Sequence, residues 1–172
     1  LHQFEFTQAQ TLAQDLMQRQ ETSEPGADAS NSFAVLLIDG MSVREEPVTR
    51  GLQNALGELP LVGGSAGGGP DFDVTRVYSD GAFHTDSAVL ALLTTPLPFR
   101  TFKTQHFVPT DQRVVVTAAD VEHRIVHEID GRPAIEAYAE LGGVNVQSLD
   151  SMLFAGLPMV VMIDGSDYVR SI

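Results

Sequence analysis

The chain predicts a mixed α/β fold, with a largely antiparallel sheet and flanking helices. Phe33-Ala34-Val35-Leu36-Leu37-Ile38 is an unbroken apolar run of strand length, the kind covered on both faces. A helix-period segment follows it, and a second short apolar run then opens into glycines, giving a strand–helix–strand unit. Past the glycines the period becomes strand-like, punctuated by Asp-Gly turns.

The first helix is expected over residues 7–20, with Thr7 as its cap and Ala9, Leu12 and Leu16 on its apolar side. Glu21 to Ser32 reads as a polar loop containing Gly, Pro and Ser. The strand Phe33 to Ile38 ends at Asp39-Gly40. Glu45 to Leu56 predicts a helix, because Pro47 suits a first turn and Gly57 a terminus. Leu61-Val62 is a brief strand leading into a glycine-rich turn.

Val74 to Tyr78 and Phe83 to Leu93 read as a hairpin about Asp80-Gly81, with Ala88 to Leu93 apolar at both parities and hence central in a sheet. Further strands are expected over Phe99 to Val108, Arg113 to Thr117 and Arg124 to Ile129. Asp130-Gly131 precedes a helix from Arg132 to Leu141, with Pro133 in its first turn and Ile135, Tyr138 and Leu141 inward. Met159 to Ile163 is a last strand, turning at Asp164-Gly165 into Tyr168-Val169-Arg170.

Composition narrows the function. At 172 residues and 43% hydrophobic content, the chain supports one sizeable core or two small ones. Its formal charge of -13, with Lys103 its only lysine, disfavours nucleic acid, which demands a positive footprint. Without cysteine there are no disulfides or thiolate ligands, which fits a cytoplasmic setting. No apolar run reaches membrane-spanning length, and no membrane partner is expected. Leu1 is not a natural start, so the chain is expected to be a piece of a longer protein.

Gly63-Gly64-Ser65-Ala66-Gly67 fits the G-x-S-x-G letters of a serine-hydrolase elbow. An elbow needs a helix directly after its serine, and Gly67-Gly68-Gly69-Pro70 is a poor start for one. Catalytic Ser65 therefore stands as one alternative. The others are a structural turn and a turn whose bare amides at Gly63, Gly64, Ser65 and Gly67 hold a small ligand. No P-loop lysine follows, and the spacing misses G-x-G-x-x-G.

Strand alternation would place His106 on a mainly apolar face with Phe102, Thr104 and Val108. A histidine there is either an iron ligand to a heme or a hydrogen-bonded, partly buried side chain. His123 and His127 would share a face with Ile125 and Ile129, without a zinc-spacing motif. His84, after a hairpin turn, is expected to be exposed. Met41, Met152, Met159 and Met162 read as core fillers or loop residues.

A family resemblance covers much of this. Leu61-Val62-Gly63-Gly64-Ser65-Ala66-Gly67, Val77-Tyr78-Ser79-Asp80-Gly81 leading to Ala88-Val89-Leu90-Ala91-Leu92, and Ile129-Asp130-Gly131-Arg132-Pro133-Ala134 resemble the later part of a FIST amino-terminal domain. The likeness spans roughly residues 30–145, and Pro158 to Ile172 resembles the opening of the FIST carboxy-terminal domain. The implied organisation is a partial amino-terminal domain over 1–145 and the start of the second over 146–172. The resemblance implies a non-catalytic bacterial sensory module that binds a small ligand such as an amino acid. A histidine kinase or cyclic-dinucleotide signalling protein and further copies of the chain are the implied partners. Lys103 to Thr110 and Arg124-Ile125-Val126-His127-Glu128-Ile129 look like the nitric-oxide-sensing heme branch. That likeness implies heme b, with His106 before His127 as the iron ligand and Phe102 and Val108 as cover.

Overall fold

The computed structural model describes residues 1–68, 74–121, 123–163 and 165–170. They form two units, Leu1–Thr104 and Gln105–Ile172. The fold is mixed α/β, with antiparallel pairing dominant and helices flanking the sheets.

In the first unit, α1 (Phe6–Ser23) and α2 (Glu45–Leu56) flank a sheet of β1 (Ser32–Asp39), β2 (Leu61–Ala66) and β5 (Ala88–Thr94), ordered β2-β1-β5. β1 runs parallel to β2, as the strand–helix–strand reading requires, and antiparallel to β5. The central strand is therefore β1, and β5, read as central, lies beside it with β1 as its sheet partner. The register is set by alternation. Ala34, Leu36 and Ile38 turn to the helices and are buried, while Leu37 on the other face is 49% exposed.

Two adjoining clusters make the core. One joins Ala9, Leu36, Ile38, Val48 and Leu52; the other joins Ala13, Ala34, Leu56 and Leu59. Each leucine or valine buried there contributes about 1.5–3 kcal/mol relative to exposure. On α1 the buried residues are Ala9 and Ala13, whereas Leu12 is 45% exposed. The expected Ala9–Leu12–Leu16 stripe is thus rotated. The reason is close helix approach: a side chain on Gly51 of α2 would stand 3.1 Å from Ala9 Cβ, so small residues must meet there. The cap is Glu5 rather than Thr7, and the Glu5 amide donates to Gln8 Oε1 at 2.8 Å.

Leu61 to Ala66 is one continuous strand, so Gly63, Gly64 and Ser65, read as a turn, are paired with Leu36, Leu37 and Ile38 of β1. The expected Phe83 to Leu93 strand is split. β3 (Val77–Ser79) and β4 (Ala82–His84) form a small hairpin at Asp80-Gly81, and β5 starts afresh at Ala88. The break carries Asp86, whose φ of 48° interrupts an extended strand.

In the second unit, β6 (Val116–Asp120), β7 (Ile125–Ile129) and β8 (Arg132–Pro133) form a sheet ordered β6-β7-β8. β6 begins three residues later than the Arg113 start expected. No strand forms over Phe99 to Val108, so the alternation that grouped Phe102, Thr104, His106 and Val108 does not exist. α3 (Ala134–Leu141) starts after Pro133, which pairs with Glu128 instead of joining the helix. Its buried residues are Ala137, Tyr138 and Ala139, while Ile135, expected inward, is 52% exposed.

α4 (Ser151–Gly156), capped by Asp150 accepting from the Leu153 amide, was not foreseen. β9 (Met159–Ile163) and β10 (Ser166–Arg170) form the expected hairpin, though Asp164 of its turn lies outside the described residues. Tyr138 stacks on Phe154 at 5.2 Å and donates to the Leu157 carbonyl at 2.8 Å. Tyr138→Phe should lower stability by about 1 kcal/mol in urea titration. An unchanged midpoint would mean that the hydroxyl contributes nothing there.

Candidate functional site

The carboxyl ends of β1 and β2 come together around Asp39. Ligands of α/β sheets collect outside the carboxyl ends of parallel strands. Here the chain leaves β1 through α2 to the parallel β2, and the antiparallel β5 brings its amino end to the same edge of the sheet. Asp39 is the last residue of β1 and is only 3% exposed.

Three donors satisfy its carboxylate. Thr75 Oγ and the Met41 amide donate to Oδ1, the latter at 2.9 Å, and the Asp86 amide donates to Oδ2. The Asp39 amide in turn donates to the Ser87 carbonyl, and Ser42 Oγ donates to the Asp39 carbonyl at 2.7 Å. Burial pushes the Asp39 carboxyl up, but these hydrogen bonds outweigh it and hold the group below its ordinary 3.8. Asp39 thus ties together the end of β1, the Thr75 segment and the entry to β5.

The glycines shape the space beside this knot. A side chain on Gly40 would stand 2.6 Å from the Ala66 carbonyl oxygen, so the two chain segments touch through backbone. Gly68 likewise faces the Val74 carbonyl at 2.9 Å. Gly64 and Gly67 have no described atom within 4 Å of where a side chain would stand, and both are exposed. Open backbone therefore borders a buried, charged support.

Of the residues read as ligand-binding, Gly63, Gly64 and Ser65 lie in β2 and Gly67 just past its end. Ser65 is exposed and pairs with Ile38, and among the described residues no histidine bonds to it. Strands, not a helix, are the next described elements after it. Gly69 to Asp73, used in reading the turn, lie outside the described residues.

The residues named for heme are placed differently. Phe102 is 76% and Val108 86% exposed, and both lie in strand-free chain. His106 is exposed, with its ring 4.1 Å from that of Phe107. His127 lies exposed on β7. His123 precedes that strand and bonds Asp120 at 2.8 Å, so the His123–His127 face is not formed. His84 is exposed, as expected, with Nε2 3.2 Å from the Ser79 carbonyl oxygen.

The sequence reading missed Asp39, Ser42, Thr75 and Asp86. The signal was present at Asp39, an acid directly after a buried apolar run, but it was read as a strand end. Thr75 and Asp86 carry no local signal, since only the fold brings them to Asp39.

The FIST N domain family matches residues 2–132. The chain belongs to the FIST family. The match starts well before residue 30, so it takes in α1 as well as the glycine strand. No curated protein and no solved structure matches the FIST chain. FIST domains are associated with sensory and signal-transduction roles and are generally non-catalytic. No helix among the described residues is long and apolar enough to cross a membrane, and no group of three or more His, Asp or Glu residues among them is placed to hold a metal.

Proposed function

We infer that the chain is a bacterial sensory module that binds a small polar ligand, an amino acid or small anion, outside the carboxyl ends of β1 and β2. The observation that carries this reading is the bare backbone at Gly64 and Gly67 beside the buried Asp39 knot. Extended backbone without side chains lets a ligand approach amides closely, and the knot keeps the segment from collapsing onto the opening. Binding would shift the population of a surface read by a partner histidine kinase or cyclic-dinucleotide signalling protein.

Calorimetry against amino acids and small carboxylates tests this. Gly64→Val should abolish the heat while changing stability in urea titration by less than about 1 kcal/mol, because a Cβ at this position meets no described atom within 4 Å. Binding retained in that variant would move the ligand elsewhere. Labelling by a fluorophosphonate, lost in Ser65→Ala, would replace the sensor reading by hydrolysis.

Heme b on His106 or His127 is the sharper form of the same sensory role and rests on the likeness of Lys103 to Thr110 and Arg124 to Ile129 to the nitric-oxide-sensing branch. Hemin titration of the same protein tests it. A Soret band that is unchanged in both His106→Ala and His127→Ala would eliminate these ligands.

A further inference from the structure

Two hairpins of the fold turn on the same dipeptide in the same conformation. At Asp80-Gly81 the φ angles are 49° and 82°, and at Asp130-Gly131 they are 51° and 73°, the left-handed pair that a tight two-residue turn demands. β3 pairs with β4 across the first turn and β7 with β8 across the second. All four turn residues are exposed.

Their hydrogen bonding differs. Asp130 Oδ1 accepts from the Val115 amide at 2.9 Å, and the Gly131 amide donates to Thr117 Oγ at 3.0 Å. Among the described residues the Asp80 carboxylate accepts no hydrogen bond and the Gly81 amide donates none. A third pair, Asp39-Gly40, has its carboxylate buried and held by donors on both oxygens.

The free groups at Asp80-Gly81 are the two that react with each other in an Asp-Gly sequence. We propose that Asp80 is a modification site, isomerising spontaneously to isoaspartate in the folded chain, and that the hydrogen bonds at Asp130-Gly131 protect that pair. The Gly81 nitrogen, unshielded by any side chain, bonds to Asp80 Cγ. One carboxyl oxygen leaves as water with the nitrogen's proton and the carboxyl's own. The resulting five-membered imide takes up one water. Opening at Cγ restores aspartate, and opening at the main-chain carbonyl routes the backbone through Cγ. Water is the only other reactant, and the mass is unchanged.

The product carries Asp80 Cβ as an extra main-chain atom, which the two-residue turn joining Ser79 to Ala82 does not accommodate. Val77 of the same hairpin is buried, and Thr75 just before it donates to Asp39, so the change also reaches the Asp39 knot.

The test is peptide mapping by mass spectrometry of the whole folded chain aged in heavy-oxygen water. Each imide opening puts one heavy oxygen into its peptide, and isoaspartate blocks a protease that cleaves before aspartate. The Asp80 peptide should gain label and resist cleavage at least about tenfold faster than the Asp130 peptide, because two hydrogen bonds must break first at Asp130. Thr117→Val, at an exposed residue, removes the acceptor of the Gly131 amide and should speed Asp130 at least about threefold. Ageing in urea, where neither turn is held, should bring the two rates within about twofold. No label at Asp80 in the folded chain, equal folded rates at the two pairs, an unaltered Asp130 rate in Thr117→Val, or a difference that survives urea would each overturn the assignment.

Discussion

Replacing Gly63 by alanine is expected to cost at least about 3 kcal/mol and to leave much of the Leu1–Thr104 unit unfolded. A Cβ at this position would stand 1.8 Å from the Leu36 carbonyl oxygen, 2.7 Å from its carbon and 2.9 Å from the Leu36 nitrogen. All three atoms are backbone of the central strand, so no side chain can turn aside. The φ of 154° is also one that side chains disfavour. Relief would require β2 to part from β1, and the pairing of Ala34 to Asp39 with Leu61 to Ala66 would go with it.

Gly64→Ala is the control. A Cβ there meets no described atom within 4 Å and should change stability by less than about 1 kcal/mol. Urea titrations of the two variants decide the matter, and equal midpoints would show that β1 and β2 do not approach as described.

Asp39→Asn should be the second severe change, costing about 2–3 kcal/mol. The carboxylate receives donors on both oxygens, from Thr75 and Met41 on one and Asp86 on the other. An asparagine has one acceptor oxygen, so in either orientation its amine meets a donor. The shape is kept and the chemistry is wrong, which isolates the hydrogen bonding from packing.

The same bonds set an acid limit. Because the folded Asp39 carboxyl titrates below its ordinary 3.8, the unfolded chain takes up the proton first as pH falls. The stabilisation is complete above 3.8 and is lost as pH drops through the lower folded value. Thermal melts between pH 5 and pH 2 should therefore converge for parent and Asp39→Asn. Parallel curves over that range would remove the charge from the account. Loss of the knot should also weaken the ligand site proposed beside it.

Much of the first unit was legible in order of appearance. β1, α2 and the start of β2 follow from an apolar run, a helical period with Pro47 and Gly57, and a second apolar run. The glycine segment reads as a turn from its composition, yet Leu61–Ala66 is a strand. Glycine disfavours strands on average, yet Gly63 is required in one because the neighbouring backbone leaves no room for a side chain. The rotation of α1 onto Ala9 and Ala13 has the same origin, since Gly51 invites a closeness that hydrophobicity ranking cannot express.

The His106 reading depended on a strand over Phe99 to Val108. Local β-propensity suggested it, but a strand exists only when another strand accepts its hydrogen bonds, and none does here among the described residues.

By itself the sequence determined the α/β class, the parallel strand–helix–strand unit and the FIST likeness. These rest on periodicity and on motifs contiguous in the chain. The tertiary structure alone decided the Asp39–Thr75–Asp86 knot. Thr75 and Asp86 reach Asp39 from 36 and 47 residues away. Such pairings are set by where folded backbones pass one another, which no local pattern records.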